Sequence, residues 1–216
     1  MLCKSFFADL NIAPEKLNKE LWVFSSNGSA NGGTSWWLEC QPEPVLIDCP
    51  QINLENIEFL KSHSAGKNPL VILTSREGHG NIRELQDQLG WPVLIQEQEA
   101  YLLPELPGLK TFGIDQITVS GLRLLWTPGP TPGSCVVYAP KPRNVLFCGR
   151  LLIPLNSHDV GIFRHARTFH WTRQQKSFAQ LLSWLPPKAS PELALGVGLK
   201  AVSPNKLLPW DSLNVP

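Results

Sequence analysis

Ser75, Glu77 and His79 stand within five residues in the run Thr74-Ser75-Arg76-Glu77-Gly78-His79-Gly80. Such a trio offers two chemistries. Ser75 with His79 as its base would form a nucleophile pair, provided the side chains share a hydrogen bond and face an oxyanion pocket. Glu77 with His79 would instead be two donors toward a divalent metal, short of the three that a catalytic zinc requires. A second concentration, Phe163-Arg164-His165-Ala166-Arg167-Thr168-Phe169-His170-Trp171-Thr172-Arg173, interleaves three arginines and two histidines with aromatics. Arg164, His165, Arg167, His170 and Arg173 read as a site for a small anionic ligand, aided by a helix N-terminus near Thr172. They read also as a protein-docking surface with Arg and Trp anchors, or as a solvated loop whose aromatics pack on the core. His158 and Asp159 lie just upstream. With His165, His170 and Cys148 they offer a relocated metal site, although no pair has a recognised ligand spacing.

These groups must be positioned by strands and helices, which the hydrophobic pattern places. Strands are expected at 21–24, 35–40 and 45–48, with Asn27-Gly28 and Asn31-Gly32-Gly33 as turns between the first two. A helix follows with Asn53 as its N-cap and Leu54, Ile57 and Leu60 on its buried face, ending by Gly66. The continuous apolar run 70–74 is a buried strand. A second helix over about 81–89 turns Ile82, Leu85 and Leu89 inward and stops at Gly90. After a short strand at 92–95, the middle of the chain holds only strand candidates, at 116–119, 122–126, 134–138 and 145–148. A third helix over about 172–185 buries Phe178, Leu181, Leu182 and Leu185, and 193–198 closes as a strand running into a glycine turn. Strands with helices in both halves predict an α/β (α+β) domain of two sheets flanked by helices.

The bulk properties bound what such a domain does. The chain has 216 residues, expected as a single domain over 1–216 with its core at about 20–200. Nineteen Lys and Arg against 18 Asp and Glu leave a formal charge of +1, which excludes a basic stripe for nucleic acid or an anionic membrane. The eight tryptophans are accordingly expected in packing rather than as a base-stacking platform. No phosphate loop is present, because Gly28, Gly32 and Gly33 match neither the GxGxxG nor the GK[ST] pattern. No run approaches the length of a membrane-spanning helix, and the first nine residues turn acidic too soon for a signal peptide. Five cysteines without CxxC spacing read as reduced, core-packed thiols of a cytoplasmic protein. A dimer contact, if formed, is expected at an exposed Trp or at the Pro-rich tail after Ser203.

Three signatures line up along this frame. Val45-Leu46-Ile47-Asp48-Cys49-Pro50 is a buried strand ending in an acidic turn. Thr127-Pro128-Gly129-Pro130-Thr131-Pro132-Gly133-Ser134 precedes a strand, and Val145-Leu146-Phe147-Cys148-Gly149-Arg150-Leu151-Leu152 is a strand ending in Gly and a polar residue. In order, spacing and strand context they resemble the metallo-β-lactamase superfamily, whose members read LIDTG, TPGHTPGS and VLFTGDTLF. The resemblance covers about residues 20 to 200 and implies a four-layer αββα sandwich of two mixed sheets with helices outside.

The superfamily's metal ligands, carried over position by position, are nearly all replaced. Where HxHxDH is expected, Ser75 and Glu77 stand for the first two histidines, and His79 and Gly80 for the aspartate and last histidine; with a gap, His79 becomes that last histidine. Pro130 stands for the histidine of TPGHTPGS, Arg150 for the bridging aspartate, and Val197 for the histidine of the final Gly-His-Gly turn. Pro130 and Val197 have no side-chain donor, and Arg150 brings a permanent cation to a position meant for a metal-bridging carboxylate. The expectation is therefore a degenerate member without its metal, acting as a binding, assembly or regulatory protein. Two readings of Arg150 follow: it fills the vacated site paired with Glu77, with Asp48 as the second acidic group in reach, or it is a surface substitution facing solvent. The alternative is a hydrolase of an ester or thioester bond with a rearranged, mononuclear zinc or other divalent metal. In it Glu77, His79 and one or more of His158, His165 and His170 would be the ligands.

Overall fold

The computed structural model describes residues 13–24, 33–201 and 206–214. The expected turns at 27–28 and 31–32, Cys3 and the start of the tail at Ser203 lie outside the described residues. The first half of the chain builds one sheet from β1 (Glu15–Lys16), β2 (Leu21–Phe24), β3 (Ser35–Leu38), β4 (Val45–Ile47), β5 (Leu70–Leu73), β6 (Val93–Gln96) and β7 (Leu109–Phe112), paired in chain order. β1 to β4 run antiparallel, while β4, β5, β6 and β7 are parallel. The crossovers between parallel strands are α1 (Leu54–His63), between β4 and β5, and α2 (Ile82–Leu89), between β5 and β6.

The second sheet takes up β8 (Asp115–Ile117), β9 (Arg123–Trp126), β10 (Cys135–Ala139) and β11 (Val145–Phe147) as an antiparallel meander. A small ribbon of β12 (Ile153–Pro154) and β13 (Val160–Gly161) follows, then α3 (Trp171–Trp184). The chain returns through β14 (Glu192–Ala194), parallel to β11, and β15 (Leu207–Leu208) at the edge.

Strand periodicity explains how these pieces become layers. Alternate residues of one strand point to opposite faces, so Trp36 and Trp37 are sorted apart. Trp36 joins Val23, Ile47 and Ile72 against Leu124, Val137 and Phe147 of the other sheet. Trp37 joins Leu46, Ile57, Leu60 and Leu85 under α1 and α2. Val136, Leu146 and Leu193 face outward from the second sheet against Phe178 and Leu181 of α3. The result is helix, sheet, sheet, helix, the sandwich expected from the three signatures. Strands β4, β5 and β6 are buried on both faces, which is why they read as unbroken apolar runs. None of the eight tryptophans is fully exposed, and Trp36 sits edge-on to Phe147 with ring centroids 6.0 Å apart. Cys40, Cys49, Cys135 and Cys148 are free and buried. Among the described residues, no helix is long and apolar enough to cross a membrane.

Helix ends agree with expectation. Asn53 accepts the Asn56 N–H at 2.8 Å, and Gly90 ends α2 with φ +68°. At α3, expected to start near Thr172, His170 is the N-cap, its ring nitrogen accepting from the Arg173 N–H at 3.3 Å. Leu54 is 70% exposed, because α1 turns Asn56, Ile57 and Leu60 inward and leaves its first residue over solvent. Leu182 is only half-buried, since α3 docks through Gln174, Ser177, Phe178 and Leu181. Strand β7 was not foreseen, its Leu-Lys-Thr-Phe sequence being short and half-exposed.

Phe147 ends β11 three residues before Arg150 and anchors the inter-sheet core beneath it. Phe147→Ala is expected to lower unfolding free energy by about 3–5 kcal/mol in urea titration. A loss under 1 kcal/mol would mean that this core does not hold the site.

Candidate functional site

The site is built at the ends of β4, β5 and β11, starting from a buried carboxylate. Asp48 closes β4 in the left-handed region, φ +58°, where the chain must turn sharply. The Thr74 N–H donates to its Oδ1 at 2.7 Å and the Thr74 hydroxyl to its Oδ2 at 2.6 Å. Gly78 lies so close that a Cβ there would stand 2.1 Å from the carboxylate. Burial pushes the Asp48 carboxyl up to about 6, against the pull of the Thr74 hydrogen bonds and of the Arg150 charge.

Residues 75–79 do not form the nucleophile pair. Ser75 caps the single 3-10 turn Arg76–Gly78, its hydroxyl accepting from the Glu77 N–H at 3.3 Å. Among the described residues no hydrogen bond joins Ser75 to His79. The His79 side chain instead lines a separate cavity with Arg83, Glu84 and Leu103. Burial, and secondarily the charge of Arg76, lowers its imidazole to about 4, so it is neutral at neutral pH.

Glu99, which no sequence signal marked, fixes both loops beside the site. It is fully buried, and its carboxylate accepts the N–H of Arg76 and, at 3.1 Å, the N–H of Gly133. One buried anion therefore staples the 75–79 segment to the proline-rich loop 127–134. That loop is also held by Ser134, whose hydroxyl lies 2.7 Å from that of Thr131, and by α3, where the Ser177 hydroxyl donates to the Pro128 carbonyl at 2.7 Å. Gly129 is required there, because a Cβ would stand 2.4 Å from the backbone of Gln174.

Arg150 follows Gly149, whose own Cβ would meet the Cys135 carbonyl oxygen at 2.7 Å. Gly196 packs on Gly149 just as tightly, a Cβ there falling 2.5 Å from its carbonyl oxygen. These approaches bring Arg150, Glu77, Pro130 and Val197 around one cavity of about 500 Å³. Its wall carries an ion pair, Arg150 Nη1 to Glu77 Oε2 at 3.2 Å, with the two side chains 9% and 20% exposed. Thus Glu77 is the partner expected for Arg150. Asp48 is not a second ion-pair partner, since Thr74 engages its carboxylate and Arg150 reaches it only through its field.

The second constellation divides. His165 and Arg167 line the same cavity as Arg150, together with Thr131, Ile153, Pro154, Ala166 and Ala201. They are held there by a tight turn in which the His165 N–H donates to the Thr168 hydroxyl and the Arg167 N–H to the His165 ring, at 3.0 and 3.1 Å. Arg164 and Arg173 point outside it and are exposed, and His170 is occupied as a cap. The hydrogen bonds from His170 N–H to Gly129 and from Phe169 N–H to Pro130 dock this segment on the proline-rich loop, at 2.9 and 3.2 Å.

These residues do not fit a metal. Pro130 and Val197 offer no donor, Arg150 places a cation on the same wall, and Glu77 is committed to it. Glu77 and His79 line different cavities, so the rearranged mononuclear set is not assembled. Among the described residues no three His, Cys, Asp or Glu side chains gather where they could share an ion, His158, Asp159, His165, His170 and Cys148 included. Nor is a buried thiol poised as a nucleophile: burial pushes Cys49 up to about 12 and Cys135 and Cys148 well above the ordinary thiol value.

No family model matches this chain, and no curated protein matches it. Solved structures do. The DIM-1 metallo-β-lactamase superposes with a TM-score of 0.66 at 16% identity, over 87% of this chain and 92% of that one. A metallo-β-lactamase from Pontibacter korlensis gives 0.66 at 20% identity, over 86% and 90%. A protein designated TTHA1623, crystallised in a di-iron-bound form, gives 0.60 at 24% identity, over 81% and 92%. At these identities the likeness establishes the metallo-β-lactamase fold, as the signatures at Asp48, Thr127 and Val145 led one to expect.

Two outcomes test the site's physics. Asp48 binds its proton more tightly folded than unfolded, so its contribution to stability falls as pH rises from about 4 to 6. His79 does the reverse, losing stability as pH falls from 6.5 to about 4. Each shift corresponds to about 3 kcal/mol, so the two slopes nearly cancel in the wild type. Relative to the wild type, Asp48→Asn is expected to lose stability on acidification through this window and His79→Gln to gain it, read from urea unfolding. Equal slopes in all three proteins would refute the assignment. Separately, Glu99→Gln sets an amide N–H against one of the two backbone donors. It is expected to cost about 2–3 kcal/mol and to speed amide exchange at Arg76 and Gly133; unchanged exchange at both would dismiss the staple.

Proposed function

We propose that this metallo-β-lactamase-fold chain is a non-catalytic member of its fold, a binding or regulatory protein whose former metal pocket holds a built-in ion pair. The observation that carries the reading is the Arg150–Glu77 pair at 3.2 Å, on the wall of a cavity that also includes Pro130 and Val197, two ligand positions without a side-chain donor. A hydrolytic zinc needs three protein donors and an open position for water, whereas here a guanidinium lines the site. Arg150 supplies positive charge where two cations would otherwise sit, but it cannot lower the pKa of a bound water as a metal does. The tight backbone geometry around it (Gly129, Gly149 and Gly196 packed against backbone) serves the scaffold and asks for no chemistry.

The pocket retains the other attributes of a binding site. It is concave, walled partly by apolar side chains, and carries a few converging polar groups. Its floor is rigid, because Asp48, Thr74 and Glu99 bind the three flanking segments together. A protein partner seated over the exposed Arg164 and Arg173 is compatible with that role.

Metal content decides the matter. Plasma mass spectrometry on tag-free protein purified without chelators is expected to find a stoichiometry near zero. Incubation with zinc, manganese or iron is expected to leave it there. One or two ions per chain, with turnover of ester or thioester substrates that a chelator abolishes, would overturn the reading in favour of a rearranged mononuclear hydrolase.

A further inference from the structure

We infer that the exposed stretch 163–176, which runs beside the Arg150 pocket into α3, docks an acidic segment of a partner protein whose carboxylates are interspersed with apolar side chains; this rests on the binding role proposed above and names the partner. The first support is charge. Residues 160–191 contain no Asp or Glu, while Arg164, Arg167, Arg173, Lys176 and Lys188 lie among them. Arg164, Arg173 and Lys176 are exposed. Among the described residues, no salt bridge or side-chain hydrogen bond engages any of these three. They alone make the stretch basic.

The second support is where two of these cations stand. The helix α3 begins at Trp171, so Arg173 lies in its first turn, and Lys176 follows at the i+3 position on the same face. The N-terminal turn of a helix carries partial positive charge and favours anions, yet α3 has no acidic residue there. A cation in that place opposes the field of its own helix. Local rules are broken in this way where function asks for it. Carboxylates brought by a partner relieve the repulsion.

Exposed aromatics separate a protein partner from a bare polyanion. Phe163 and Phe169 are 55% and 49% exposed, two large apolar side chains in the same run as the arginines. Arginine with aromatic residues is the composition of interface hot spots. Three free cations are few for a phosphate backbone, whose binders make about 6–10 phosphate contacts. The segment is also preorganised. The Thr168 N–H donates to the His165 carbonyl at 3.0 Å, and the Phe169 and His170 N–H groups donate to the Pro130 and Gly129 carbonyls. A partner therefore meets side chains on a backbone already held, which lowers the entropy cost of docking.

The test is a display selection from a random peptide library on the full chain, followed by fluorescence anisotropy on the peptides it enriches. Metal content is measured on the same sample. Enriched peptides are expected to carry an excess of Asp and Glu beside apolar residues. Replacing their carboxylates by amides is expected to weaken binding at least about tenfold, and so is Arg164→Glu/Arg173→Glu. Phe163→Ala is expected to weaken it about fivefold. In the free protein, Arg173→Glu is expected to raise the melting temperature, because it places an anion at the helix N-terminus, so lost binding there is not lost folding. A residue serving only the fold would not trade stability against binding. Metal-free protein that enriches no peptide, enriches peptides without acidic excess, or binds them equally well after Arg164→Glu/Arg173→Glu overturns this inference and leaves the non-catalytic reading standing. Tighter binding, at equal ionic strength, of a single-stranded RNA or of phosphatidylserine vesicles overturns it in favour of those surfaces. A stoichiometric metal in the sample would overturn the reading beneath it.

Discussion

Thr74 makes three hydrogen bonds on which the site end of the sandwich depends. Its N–H and hydroxyl both donate to the buried Asp48 carboxylate, and its carbonyl accepts the Cys135 N–H at 2.8 Å. The first two bonds fix the turn after β4, and the third ties the first sheet to the start of β10 in the second. Gly78 fits beneath the carboxylate and Gly149 beside the Thr74 side chain, each where a Cβ would collide. Placing an anion in such a spot is unfavourable, which the raised Asp48 value records. The hydrogen bonds and the nearby Arg150 charge are what make it tolerable.

From that anchor the arrangement of the pocket follows. With β4, β5 and β10 locked together, the short segments leaving them have little freedom. Glu99 removes more of it by taking one backbone N–H from each of two loops. Arg150 follows β11 and lines the enclosure that these segments form. Its charge is met by Glu77, a residue one 3-10 turn away from the end of β5. Burying an ion pair contributes little to stability once desolvation is counted, but a lone buried arginine would be strongly unfavourable. The pair is better understood as the condition for having a cation in this pocket than as a source of folding energy.

Much of the architecture was legible along the chain because strands and helices here obey their own periodicities. Trp36 and Trp37 sort to opposite faces, the parallel strands are apolar throughout, and Asn53 and Gly90 mark helix ends by local hydrogen bonding and local φ. The failures have local reasons too. Leu54 lies on the expected helix yet sits above solvent, since the face that docks is set by the sheet beneath and not by the helix. His170 was read as an anion-site residue but serves as the α3 cap, and backbone bonds from Phe169 and His170 to Pro130 and Gly129 hold its segment on the proline-rich loop. Ser75 and His79 are close in number, but Ser75 is buried as the cap of the 3-10 turn between them, while the His79 side chain lines a cavity beyond it.

What the sequence determined by itself was the loss of donors. Pro130 and Val197 cannot ligate a metal in any fold, and Arg150 is a cation wherever it lies, since these are properties of the side chain alone. The order of the strands and the glycine-bearing motifs were equally local. Only the tertiary structure decided that Arg167 and His165 share a cavity with Arg150 while Arg164 and Arg173 do not. It alone chose Glu77 over Asp48 as an ion-pair partner and revealed Glu99 as a staple between the segments of Arg76 and Gly133. Convergence of this kind depends on how loops from distant parts of the chain pack together, and no spacing within any one of them encodes it.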